Sequence, residues 1–96
     1  MTPKRFRKKP VVVEAMQYTL EDRDAVIAFC KPQHAAIDDD GSEYELLNLR
    51  INTLEGTMRV GPGDWVIKGV KGEFYPCKDD VFRAIYEEIE EEEEVV

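Results

Sequence analysis

The chain has 96 residues, 13 of them basic and 21 acidic, and a formal net charge of -8. A length of this order forms one domain, and 43% hydrophobic content is that of a globular chain rather than a disordered one. Without the seven Glu of residues 87–96 the count is 13 bases and 14 acids, a net of -1, so the acidity belongs to the tail and the body is close to neutral, which excludes reading the charge as an acidic binding surface and excludes a bulk basic nucleic-acid binder.

The first nine residues carry Lys4, Arg5, Arg7, Lys8 and Lys9 and no acid, and are expected to form a basic arm. The start is followed by Pro10 and an alternating stretch, not by the continuous apolar run of a signal peptide. No window approaches the roughly 18 apolar residues of a membrane span. The expectation is a cytoplasmic protein without a membrane partner. Cys30 and Cys77 are too few for a disulfide framework and lack CxxC spacing, so free thiols are expected.

Residues 10–89 read as a single α+β domain. Val11 to Tyr18 is β-branched and roughly alternating, the pattern of a strand with one buried face. Thr19 with Asp22 three residues later resembles a capping box. It predicts the main helix at about 20–31, with Val26, Ile27, Phe29 and Cys30 inward and Arg23 and Asp24 in water. Pro32 stops it, because proline disfavours helical geometry in the residue before it.

A short strand is expected over 33–37, then an acidic turn from Asp38 to Ser42. Tyr44 to Thr53 reads as a strand with Leu47, Leu49 and Ile51 on one face. A tight Leu54-Glu55-Gly56 connection leads to an antiparallel return over 57–60. Gly61-Pro62-Gly63-Asp64 has the composition of a type II turn, with Asp64 capping it. Trp65 to Val70 is the next strand, with Trp65 and Ile67 on one side. After a Lys71-Gly72 turn, Glu73 to Cys77 follows, and Pro76 marks it as an edge. Asp79 is expected to cap a short helix at about 79–85 with Val81, Phe82 and Ile85 inward. A last strand is expected over 86–89, and 90–96 as a disordered acidic tail. The architecture expected is a twisted antiparallel sheet or small open barrel with one main helix against it.

Catalytic and metal chemistry find little support. A structural zinc site takes about four Cys or His ligands, and the chain has two Cys and one His. A thiol nucleophile needs a base within hydrogen-bond reach, and nothing places His34 beside either Cys. The Asp38–Glu43 acids do not follow the calcium-loop spacing. Gly61-Pro62-Gly63 lacks the Lys-Ser/Thr of a phosphate loop. No enzyme, metal or cofactor is expected. Lysines and aromatics do interleave around the last hairpin: Trp65, Lys68, Lys71, Tyr75 and Lys78. Such a set can stack on a base and neutralise phosphates, whereas the alternative makes the aromatics core and the lysines a solvated rim.

The strings Thr53-Leu-Glu-Gly-Thr-Met-Arg-Val60, Pro62-Gly-Asp-Trp65 and Lys68-Gly-Val-Lys-Gly-Glu-Phe-Tyr-Pro-Cys-Lys78, with Arg7-Lys-Lys-Pro-Val-Val-Val13-Glu14-Ala15 at the start, resemble a family of short uncharacterised phage and prophage proteins. This chain has Lys78-Asp79-Asp80 where that family usually has Lys-Pro-Asp. The resemblance implies a viral origin and no particular activity. The function expected is a non-catalytic phage accessory protein. It would bind a host protein or a small signalling ligand, and in one form an oligomer would sequester a nucleotide against host defence. The alternatives are a small nucleic-acid-binding regulator using the basic arm and a phage structural or assembly component.

Overall fold

The computed structural model describes residues 2–31, 34–37, 41, 46 and 48–90. Its elements in chain order are β1 (Glu14–Gln17), α1 (Arg23–Cys30), β2 (Ala35–Ile37), β3 (Leu49–Thr53), β4 (Gly56–Val60), β5 (Trp65–Lys68), β6 (Phe74–Cys77) and α2 (Asp79–Ile85). The α+β class holds. Among the described residues the strands form two open antiparallel sheets of three, ordered β1-β5-β6 and β2-β3-β4, and neither closes into a barrel.

The two sheets and α1 share one core. The helix supplies Val26 and Cys30, four residues apart and so on one face. The β2-β3-β4 sheet supplies Leu49, Ile51 and Val60, the β1-β5-β6 sheet supplies Val66 and Phe74, and Tyr18 joins them just after β1. Phe29 of α1 meets Phe74 edge to face at 5.4 Å, a favoured aromatic geometry.

The turns follow their local chemistry. Gly63 takes φ 86°, a left-handed value that a side chain resists. Asp64 closes the turn as expected, its Oδ2 accepting the Gly61 N–H at 2.8 Å. The same turn is sewn to β1's end, since the Tyr18 N–H donates to the Asp64 carbonyl and the Gly63 N–H to the Tyr18 carbonyl. Leu54 and Glu55 form the connection between β3 and β4. Pro76 lies in β6, an edge strand, where the missing N–H breaks no ladder.

Several expectations are corrected. Val11 to Val13 are not in a strand, and β1 is confined to 14–17. Thr19 Oγ1 does accept the Asp22 N–H at 3.2 Å, but residues 20–22 form a turn and α1 starts at Arg23. Arg23 is not simply in water: its Nε is buried, 3.5 Å from Asp24 Oδ1. Residues 69–70 belong to a turn rather than to β5. Residues 86–89 form no strand. In α2 only Phe82 turns inward, while Val81 and Ile85 are about half exposed. Most of the acidic turn, residues 42–45 and 47, and residues 91–96 of the tail lie outside the described residues. No helix among the described residues is long and apolar enough to cross a membrane.

Candidate functional site

Side chains alternate along a strand, and this decides what the last hairpin can assemble. On β5, Trp65 and Ile67 point one way and Val66 and Lys68 the other. The register puts Gln17 and Ala15 of β1, and Cys77 and Tyr75 of β6, beside Trp65 and Ile67. Val66 and Phe74 face the shared core. The Trp65 side is therefore the outer face of the β1-β5-β6 sheet, and α2 lies across it.

An aromatic ladder holds the helix there. Phe82 stacks on Trp65 with centroids 4.1 Å apart and planes at 10°, and Tyr86 stacks on Phe82 at 5.0 Å. The basic arm closes the ladder: Lys8 Nζ donates to the Tyr86 hydroxyl at 2.7 Å and sits 4.3 Å from its ring centroid. Burial raises the Tyr86 pKa, but the bonds from Lys8 and Tyr75 outweigh it and the net shift is downward. Tyr75, half-buried and bonded to Tyr86, is pushed up to about 12.

Asp79 does not cap α2. Lys78 stands at the N-cap and makes no side-chain cap bond, and the first-turn N–H of Val81 is accepted by Asp80 Oδ1 at 2.9 Å. The Asp79 Oδ1 instead accepts the Trp65 Nε1–H at 2.8 Å, the Arg83 Nε–H at 2.8 Å and the Gln17 amide at 3.3 Å. The indole bond, with help from Arg83 and against a smaller opposing effect of burial, holds the carboxyl below its ordinary value. One oxygen thus ties β1, β5 and α2 together.

Of the five residues singled out from the sequence, the structure brings two together. Trp65 and Tyr75 share the outer face. Lys68 stands on the opposite face, level with Glu14 and Phe74. Lys71 is exposed on the turn at one end of β6, where its backbone N–H donates to Glu73 Oε2 at 2.9 Å. Lys78 is at the other end, its Nζ 3.1 Å from Asp64 Oδ2. An odd spacing between Trp65 and Lys68 forces them apart on a strand, and one face of the indole is already taken by Phe82.

The outer face holds a different feature. A groove of about 390 Å³ runs between Pro10–Val13 and Ile85–Ile89, with Ala15, Trp65 and Phe82 also lining it. Its lining is mostly apolar, with Glu87 and Glu88 among it. Val11 and Val12 are 47% and 48% exposed, and Ile85 54%. A second hollow of about 380 Å³ lies between Thr53–Glu55 with Met58 and Glu73–Pro76. Sequence reading missed Phe6, which is 91% exposed in the middle of the basic arm. The Arg5-Phe6-Arg7 order was the available signal.

The thiols are poorly placed for nucleophilic work. Cys30 is in the core and burial pushes it up to about 11. Cys77 is raised by burial and by the nearby Asp64 and Asp80 carboxylates, and its Sγ donates to the Lys78 carbonyl at 3.6 Å. Among the described residues no group of three or more His, Cys, Asp or Glu is placed to hold a metal ion. In comparisons with protein-family models, with curated proteins and with solved structures, nothing matches this chain.

Proposed function

We propose that the protein is a non-catalytic binding module, a phage accessory protein that captures a host factor or small signalling ligand on the outer face of the β1-β5-β6 sheet. The observation that carries the reading is the groove of about 390 Å³ along the Trp65–Phe82 ladder. Its volume lies in the range of small-molecule and side-chain pockets, and an apolar lining beside a few polar groups is the usual composition of such sites. The viral origin rests on the resemblance of the strings from Arg7 to Ala15 and Thr53 to Lys78. The nucleotide-sequestering form draws less support, because Lys68, Lys71 and Lys78 are dispersed and any phosphate contact would fall to the basic arm.

The test is native mass spectrometry of tagged protein isolated from phage-infected cells, beside a Val12→Asp/Ile85→Asp variant. The wild type should carry a stoichiometric partner or ligand that the variant loses while keeping its far-ultraviolet spectrum. A wild type that comes out bare, or a species that the groove variant retains, overturns the reading.

The second reading, nucleic-acid binding, is favoured by one observation, the exposed Phe6 among five bases. Aromatic stacking and phosphate contact together are how single strands are held. Against it, Lys8 is engaged with Tyr86, and Glu87, Glu88 and Glu90 follow directly. A flat dependence of log affinity on log salt, or no loss on deleting residues 1–9, dismisses it.

A further inference from the structure

The arm around Phe6 and the outer-face groove are complementary in apolar character and in charge. A phenyl ring 91% exposed leaves the free energy of its burial unrealised. It stays out of the groove of its own chain, although Lys8, two residues on, is fixed to Tyr86 on the groove wall. The groove offers an apolar lining that ends at Glu87 and Glu88, with Glu90 beyond. The arm offers one aromatic flanked by Lys4, Arg5 and Arg7. A polyanion brought to this arm would meet those glutamates as well, whereas a second copy would meet them with bases.

The geometry also repeats itself correctly. In a two-fold dimer each contact is made twice, residue i on j and j on i. Because the arm and the glutamates leave the same groove, a two-fold axis beside it sets each arm on the other copy's acids. We infer that the free protein is a two-fold dimer in which residues 2–7 of each copy lie in the outer-face groove of the other. Phe6 is the apolar anchor, and Lys4, Arg5 and Arg7 face Glu87, Glu88 and Glu90 of the second copy. This rests on reading the groove as the binding site and adds its regulation: the arm fills the groove until a ligand or host segment displaces it.

Sedimentation equilibrium of the full chain tests it. The expected result is a dimer that weakens as salt is raised, because exposed charges are screened within about 10 Å at 0.1 M and about 3 Å at 1 M. Phe6→Ala should weaken the dimer on the order of tenfold to a hundredfold, as loss of a buried aromatic anchor does, and Phe6→Trp should restore it. A charge swap keeps the test independent of misfolding. One variant carries Lys4→Glu, Arg5→Glu and Arg7→Glu; the other carries Glu87→Lys, Glu88→Lys and Glu90→Lys. Each should be monomeric alone, and the two mixed should form a heterodimer. A monomer at every concentration, a dimer indifferent to Phe6→Ala, or no heterodimer on mixing overturns the inference. Val12→Asp separates this failure from that of the binding reading. A variant that loses its ligand while sedimentation is unchanged removes the dimer alone; a salt-sensitive dimer isolated bare from infected cells removes the ligand alone.

Discussion

The indole N–H of Trp65 meets the carboxylate of Asp79 at 2.8 Å, joining the first residue of β5 to the first residue of α2. Arg83 and Gln17 donate to the same oxygen. The position of α2, and with it one wall of the groove, depends on this side chain more than on helix propensity. A helix of seven residues has little stability of its own.

Asp79→Ala should therefore lower the urea midpoint and shift Trp65 emission to the red, as α2 lifts and the indole meets water. Asp79→Asn keeps an acceptor and removes the charge. The folded carboxyl lies below its ordinary value of 3.8, so its contribution is fully present above that value and is lost as pH falls through the lower folded value. The stability gap between wild type and Asp79→Asn should be constant at neutral pH and close only in acid. A gap that instead widens as pH falls below 3.8 contradicts the assignment.

Core and groove positions should separate cleanly in stability. Ile51 is fully buried among α1 and both sheets, so Ile51→Ala should cost about 2–5 kcal/mol by transfer and cavity terms. Val12 is 48% exposed, and Val12→Ala should stay within about 1 kcal/mol of wild type. Chemical denaturation of the two variants gives both numbers, and equal losses would mean that the 10–13 segment is part of the core.

Gly69 is specified by a neighbour rather than by its own dihedrals. A β-carbon there would run into the Glu73 carboxylate, which accepts the Lys71 N–H. Gly69→Ala should displace that carboxylate and cost about 1 kcal/mol, the worth of one such bond. In a Glu73→Ala background the same change should be nearly neutral. A double-mutant cycle that shows simple additivity would refute the coupling.

Both thiols should be slow. Cys77 and Cys30 are raised, so their thiolate fractions at neutral pH fall below that of a free cysteine. Reaction with a disulfide reagent should lag a free thiol at neutral pH and quicken as pH rises. A burst at neutral pH would reopen the thiol-enzyme reading.

The turns were legible because their chemistry is local. Gly63 and Gly72 permit the positive φ their turns take and Pro76 fixes its own φ, and the structure has them where the residue types put them. The short helix was legible over its whole length, 79–85. The use of Asp79 was only partly legible: Arg83 stands at the i,i+4 helix spacing, but Trp65 and Gln17 are 14 and 62 positions away and no spacing rule connects them. The lysine-aromatic set is dispersed for the opposite reason. Its members are close along the chain, but a strand turns residues at odd spacing to opposite faces, so Lys68 leaves Trp65 within β5 itself; the cross-strand register then shows that Tyr75 stays on the Trp65 face. The groove was invisible for a related reason: its walls come from the two ends of the described domain.

The contact between Lys8 and Tyr86 joins residues 78 positions apart. It gives the chain an order of assembly. The β2-β3-β4 sheet is built from neighbours in sequence, and all its strands are made before β5 and β6. Strand β1, made first, has no partner until β5 emerges, and the arm has no seat until Tyr86 does. A chain stopped after β4 lacks Val66 and Phe74 of the shared core as well as the partner of β1, and the residues of the outer face are not complete until α2 and Tyr86 have been made.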